Sequence, residues 1–313
     1  MPWVSFCIST YRRPEVLSRQ LKLLQKQTFS DFEVVISDND TEFSAKPVVE
    51  NLNDPRFKYF ANFQNIGMIK SFNKSIERSC SEFVVMVTDD DPVEPEFLSI
   101  MFDLYVNYPG YSIYAGFERR GKPDLNVEII RGKDFLTEIL DPGKTGSILW
   151  SSSVMRKCDA LKIGNIPDYG SPHLADHAFT ALTGSIQGGV IINKLFSFLS
   201  SHDSNFSKFN FHYYVDGCKG FYDTILNTTV NSEDKNIHIK ITRKHLGKWF
   251  IATMFSARRY YTLNNKDDSK LNEINLCCKR ILDFSFMKVY RLKYRIKRFI
   301  FFIKNKAGLL KYF

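Results

Sequence analysis

Hydrophobic and polar positions follow two different periods along the first half of the chain. Short apolar or β-branched runs at Val4–Thr10, residues 33–37, residues 57–60 and Phe83–Thr88 read as buried strands. Between them the apolar residues return at helical spacing. Val16, Leu17, Leu21 and Leu24 follow Pro14, a residue suited to a first helical turn, and residues 47–53 and 68–79 give two further helices. Strand, helix and strand within about 35 residues make a βαβ unit, for which a right-handed parallel crossover is expected. Beyond Pro109 the pattern predicts strands at 111–117, 148–155 and 190–198, helices at 133–140 and 175–182, and a loop at 164–174. From about residue 209 the chain reads as helical and aromatic, with a break at 231–235. The prediction is an α/β fold, a mostly parallel sheet with helices on both faces, carrying a helical C-terminal appendage. The expected divisions are 1–207, 208–283 and a tail, 284–313.

This arrangement gathers the polar strand ends on one edge of a sheet, and their chemistry is uneven. Strand Phe83–Thr88 runs straight into Asp89, Asp90 and Asp91, after which Pro92 and Pro95 block further strand. Three adjacent carboxylates repel one another, and in an open α/β sheet ligands bind at the carboxyl ends of the strands. A divalent cation on hard oxygen ligands, bridging to a diphosphate, suits such a cluster. The plain alternative is a solvated acidic turn with an Asp capping the next helix.

Composition narrows the class. With 313 residues, 44% of them hydrophobic, the chain can bury a large core. Core pattern begins at Val4, so no signal peptide is expected, and no apolar run reaches the roughly 18 to 20 residues of a membrane span; the expected location is cytoplasmic. Six cysteines without CxxC spacing read as reduced, structural thiols. The net charge of +9 is local. Residues 284–313 contain nine Lys and Arg and no acid, and removing those nine from the 43 basic residues leaves 34, the number of acidic ones.

The ordered motifs are VSFCISTYRRP, QTFSDFEVVISDND, NIGMIKSFNKSI, VVMVTDDDPVEP, LADHAF and SHDSNFS. In order and spacing this set resembles the family 2 glycosyltransferases of the GT-A fold, inverting, metal-dependent enzymes of bacterial surface polysaccharide synthesis such as O-antigen, capsule and lipopolysaccharide. The resemblance covers residues 1–207 and is most specific before residue 95. It implies that Ser9, Thr10, Tyr11 and Arg12 in the first loop, with Asp38, bracket a nucleoside, that Lys70 approaches a diphosphate, and that Asp89 lies near ribose and metal. Asp90 matches the direct metal ligand, Asp91 an auxiliary acid of the metal set, and His202 the late histidine at the Mn²⁺ or Mg²⁺ or at the diphosphate. Asp176 matches the general base, with Asp168, His173 and His177 as nearby competitors and a helix cap as its plain alternative. Asn39 stands where many members carry a second acid, and an amide can either accept or donate. A UDP- or dTDP-sugar is the expected donor, with cytosine and guanine nucleotides left open. A glycan or lipid-linked hydroxyl is the expected acceptor.

Two other classes compete with this reading. A sugar nucleotidylyltransferase needs a Gly-rich loop where STYRRP stands, and a membrane scaffold with a degenerate transferase domain needs only the tail. Within the tail, Val289, Leu292, Ile296, Phe299, Ile300 and Ile303 fall in an arc of roughly 100° on a predicted helix over 286–304. Lys288, Arg291, Arg295 and Arg298 border one side of the arc, and Lys293, Lys297 and Lys304 the other. A helix lying in the interface of an anionic membrane has this design; packing on its own domain or on a second subunit is the alternative. Nucleic acid is not an expected partner, because the body lacks a basic surface interleaved with aromatic residues. The sequence does not set the oligomeric state.

Overall fold

The computed structural model describes residues 1–200, 210–265 and 268–310. The chain divides into two compact units: Met1–Asp168 with Ala175–Ser201, and Tyr169–Leu174 with His202–Phe313.

The first unit is built on one eight-stranded sheet. Its strands are β1 (Val4–Thr10), β2 (Phe32–Asp38), β3 (Phe57–Ala61), β4 (Phe83–Thr88), β5 (Ile113–Gly116), β6 (Val127–Ile130), β7 (Ser153–Arg156) and β8 (Gly189–Ile192), in spatial order β3-β2-β1-β4-β7-β5-β8-β6. The first four strands are mutually parallel, as the βαβ reading requires. Strand β7 runs antiparallel to both β4 and β5, and β6 antiparallel to β8. Helices α1 (Pro14–Leu24), α2 (Lys46–Glu50), α3 (Met68–Arg78), α4 (Phe97–Asn107), α5 (Gly132–Leu140), α6 (Lys157–Lys162) and α7 (Ala175–Gln187) flank the sheet, so the expected α/β class holds.

Period-two alternation sets which helix meets which face. Val4, Phe6 and Ile8 of β1 join Leu17, Leu21 and Leu24 of α1 and Phe97, Leu98 and Met101 of α4 in one core, all fully buried. Cys7 points the other way, toward Ser75 of α3, and its burial pushes the thiol up to about 12. Trp3, Phe83, Phe102 and Tyr105 close one end of the first core with ring centroids 5.1–6.1 Å apart.

Chain order creates the opening that matters. From β1 the chain moves outward to β2 and β3, then α3 carries it back across β1 to β4 on the far side. The switch point therefore lies between β1 and β4, and a doubly wound sheet leaves its ligand crevice there. Register makes the strand ends level: Thr10 pairs with Asp38, Asp38 with Ala61, and Ser9 with Thr88.

Two predicted strands of this unit differ, and a further strand is unpredicted. The strand expected at 148–155 is a 3-10 turn, Trp150–Ser152, followed by the short β7, because Ser152 Oγ donates to the Gly116 carbonyl and turns the chain. The strand expected to reach residue 198 stops at Ile192, where Asn193 Oδ1 accepts from Arg119 N and its amide donates to the carbonyls of Lys122 and Pro123. Strand β6 lies at the sheet edge with Val127 and Ile129 exposed, and no apolar run announces it.

The second unit is helical: α8 (His212–Thr228), α9 (Lys235–Tyr260), α10 (Asp268–Asp283) and α11 (Arg291–Lys306). The break expected at 231–235 separates α8 from α9. The tail helix starts later than predicted, since Ser285–Tyr290 is a 3-10 turn and Lys288 and Val289 fall within it. Tyr294 and Phe301 hold α11 against α9 through Phe250 and Phe255, while Leu292, Ile296, Phe299, Ile300 and Ile303 remain exposed. Among the described residues no helix is long and apolar enough to cross a membrane.

Candidate nucleotide-sugar site at the strand ends

The switch-point crevice is lined by the loops after β1 and β4. Thr10, the last residue of β1, donates its hydroxyl to Asp89 Oδ2 at 3.0 Å. Three residues on, Arg13 bridges two acids: Nη1 lies 2.7 Å from Asp89 Oδ1 and Nη2 2.8 Å from Asp90 Oδ2. Parallel pairing of β1 with β4 sets residues 79 positions apart side by side, as Thr10 and Asp89 are, and so brings the loop that carries Arg13 next to the acid turn. Burial raises the Asp89 carboxyl to about 6; Arg13 opposes that rise and Asp90 adds to it. Sequence reasoning missed Arg13, because its reach to both acids follows only from the pairing of β1 with β4.

The acid turn itself is fixed by backbone contacts. Gln20 of α1 donates to the Asp91 carbonyl at 2.8 Å, and Asp91 N donates to Thr88 Oγ1 at 3.2 Å. Ser200 closes over it, with its N donating to Asp91 Oδ1 at 2.8 Å and its hydroxyl to the Asp90 carbonyl. His202 lies outside the described residues.

The loop after β2 is occupied by its own architecture. Asp38 is fully buried and accepts from Asp40 N, Ala45 N and the Tyr59 hydroxyl. Asn39 accepts from Asn62 Nδ2 at 2.9 Å and donates to the Gly67 carbonyl at 3.2 Å. Arg12 pairs with Asp40 at 3.1 Å and lies over the exposed Tyr11 ring at 5.3 Å. Ser9 is the residue of β1 level with Thr88. Lys70 is exposed in the first turn of α3, whose N-terminal end follows Gly67, a glycine at φ 85°. The positive end of that helix favours an anion.

Asp176 lies in the first turn of α7 with its side chain a third exposed, and His177 Nε2 is 3.8 Å from its Oδ2. Its competitor His173 belongs to the helical unit, where it stacks on Tyr214 at 3.8 Å. Burial depresses the His173 imidazole to about 4, which leaves it neutral.

Among the described residues no three His, Cys, Asp or Glu side chains form a metal cage. The donor chemistry nevertheless fits a divalent cation. Asp89 and Asp90 turn hard carboxylate oxygens onto one cationic group, here a guanidinium, and one or two carboxylates completed by substrate phosphates are a usual set for Mg²⁺.

Known proteins are similar to this chain in sequence and in fold. A glucosyltransferase of Campylobacter jejuni, the GalNAc(5)-diNAcBac-PP-undecaprenol beta-1,3-glucosyltransferase, is 35% identical over 105 residues, which is 32% of this chain and 34% of that enzyme; the chain thus spans about a third of its length. In overall structure the chain is similar to residues 1–349 of S. aureus TarS in complex with UDP-GlcNAc, with TM-score 0.64 and 15% identity over 94% of this chain and 92% of the other. It is also similar to the mannosyltransferase PcManGT of Pyrobaculum calidifontis in complex with GDP-Man and Mn²⁺, with TM-score 0.57 and 13% identity over 95% and 86% of the two chains. The description "Glycosyl transferase family 2" matches residues 5–164, which hold β1 to β7, the switch-point crevice and the acid turn, and so the chain belongs to that family.

Proposed function

We propose that the protein transfers a sugar from a nucleotide-diphosphate donor to a hydroxyl of a glycan or lipid-linked acceptor in bacterial surface polysaccharide synthesis, with inversion at the anomeric carbon. The observation that carries this reading is the convergence of Thr10, Arg13, Asp89 and Asp90 at the switch point of a parallel sheet. The undecaprenol-linked acceptor in the name of the C. jejuni relative supports the lipid-linked alternative.

In this reading Ser9, Thr10, Tyr11 and Arg12 hold the nucleoside of a UDP- or dTDP-sugar against the loop fixed by Asp38 and Asn39. Lys70, at the positive end of α3, and Arg13 face the negative charge of the diphosphate. Asp90 and Asp91, with Asp89 beside them, would hold Mn²⁺ or Mg²⁺, which when bound supplies positive charge to the leaving diphosphate. The acceptor oxygen bonds to the anomeric carbon as the bond from that carbon to the phosphate oxygen breaks, and its electron pair leaves on the diphosphate. Asp176 takes the acceptor's proton, a role that needs only a carboxylate within hydrogen-bond reach of the hydroxyl. Asp176→Asn should keep donor affinity and lose transfer when a panel of nucleotide sugars is assayed with Mn²⁺; normal turnover would reassign the base, and no donor binding by the wild type would overturn the function.

The tail gives this activity a place. The exposed face of α11 is apolar and its flanks are cationic, so we assign it to the anionic inner surface of the cell membrane, as a peripheral contact through Lys288, Arg291, Arg295 and Arg298. A lipid-linked acceptor resides at the same surface.

A further inference from the structure

The loops after β1, β2 and β3 share an unusual backbone feature. Each contains a non-glycine residue in the left-handed region: Arg12 at φ 53°, Phe43 at φ 56° and Phe63 at φ 57°. Glycine or asparagine occupies that region with little strain, whereas a bulky aromatic side chain is rarely found there. Both phenylalanines are also exposed, Phe63 at 78% and Phe43 at 37%, and their rings meet edge to face at 6.0 Å. The chain therefore accepts backbone strain and a wetted apolar surface at one spot, the edge where the level ends of β2 and β3 open. Strain of this kind gathers where a ligand is held.

The polar groups nearby are taken. Asp38, Asn39 and Asp40 are all buried, and each is engaged with a neighbouring element: Asp38 with Tyr59 of β3, Asn39 with Asn62 and Gly67 after β3, Asp40 with Arg12 after β1. Asn62, which fixes Asn39, directly precedes Phe63. An aromatic face, not a hydrogen-bonding edge, is thus what this side of the crevice offers.

We propose that Phe63, braced by Phe43, is a stacking surface for the nucleobase of the donor. The inference rests on the donor-site reading above and adds how the base is gripped. Every base has a π-face, so this grip carries little discrimination among bases.

The test is calorimetric titration of the full chain with UDP, CDP and GDP in the presence of Mn²⁺, comparing wild type with Phe63→Asn and Phe43→Asn. Asparagine tolerates the left-handed backbone, so each variant should melt at or above the wild-type temperature. Phe63→Asn should weaken every nucleotide that the wild type binds by roughly ten-fold or more, and by a similar factor for each. Inorganic pyrophosphate, which has no base, should bind all three proteins equally. Unchanged nucleotide affinity, a loss confined to one base, or a lowered melting temperature with affinity intact would overturn the stacking role alone. A wild type that binds neither nucleotide nor pyrophosphate would overturn the donor site itself, and this inference with it.

Discussion

Arg13 should behave as the resident counter-ion of the acid turn, and its removal should be repaired by metal. The guanidinium makes two short contacts, 2.7 Å to Asp89 and 2.8 Å to Asp90, with side-chain exposures of 30%, 6% and 13% for Arg13, Asp89 and Asp90. Removing one partner of a well-buried pair costs about 3–5 kcal/mol. An exposed pair is worth less than about 1 kcal/mol. Because Arg13 is nearly a third exposed while both acids are covered, Arg13→Ala should fall between these limits, at roughly 2–4 kcal/mol. For a unit of this size that is a loss of about 5–15 °C in the first unfolding transition. Scanning calorimetry in EDTA should show it. Addition of Mn²⁺ should then raise the variant's transition more than the wild type's, because in the wild type the ion must displace the guanidinium before the carboxylates can take it. Arg13→Lys should lie between the two, since a single ammonium does not bridge both acids in the guanidinium's forked geometry. If Arg13→Ala melts with the wild type in EDTA, or gains no more than the wild type from Mn²⁺, neither the counter-ion role nor the metal site at these carboxylates survives.

Two further outcomes are expected. Ile296→Asp with Phe299→Asp should abolish sedimentation with phosphatidylglycerol vesicles and leave the melting temperature unchanged, because both side chains are exposed on α11; retained sedimentation would remove the membrane assignment. His173 should make the helical unit sensitive to acid: its imidazole titrates near 4 when folded and near 6.5 when unfolded, so its contribution is complete above pH 6.5 and is lost as pH falls toward 4. Urea unfolding should show a loss of roughly 2 kcal/mol between pH 7 and pH 5 that His173→Phe, which keeps a ring against Tyr214, does not show.

The legible part of the fold was the part buried on both faces. β4 is a continuous apolar or β-branched run, and β1 is one but for Ser5 and Ser9, because parallel strands under two layers of helix need apolar residues on each side; both strands lie where the pattern predicts. Helices α1 and α3 start where expected for reasons equally local, Pro14 in the first turn of one and Gly67 ahead of the other. Illegible elements were short or lay at an edge. α6 has six residues, too few for a helical period to repeat, and β6 has four, too few for its alternation of Val127, Glu128 and Ile129 to stand out from the surrounding loop. Where strands ended early, the stop came from side chains binding distant backbone, as Asn193 does at Lys122 and Pro123, and no window along the chain contains that information.

The site divides along the same line. Aspartates after a buried strand are visible in one dimension, because a strand end next to a run of like charge needs an external reason. Which cation answers them is a three-dimensional fact that follows only once β1 is paired with β4, and so Arg13 stayed hidden while Asp90 did not. The aromatic pair was hidden twice over. Phe43 and Phe63 sit in polar loops, where a lone phenylalanine reads as incidental, and their meaning depends on two backbone angles and one ring contact. The tail shows the converse. Its stripe was legible, but whether it faced protein or solvent depended on Tyr294 and Phe301, which lie off the stripe and turn it outward by packing against Phe250 and Phe255. A stripe packed inward would have been core. Turned outward between cations, it is the surface on which the membrane proposal rests.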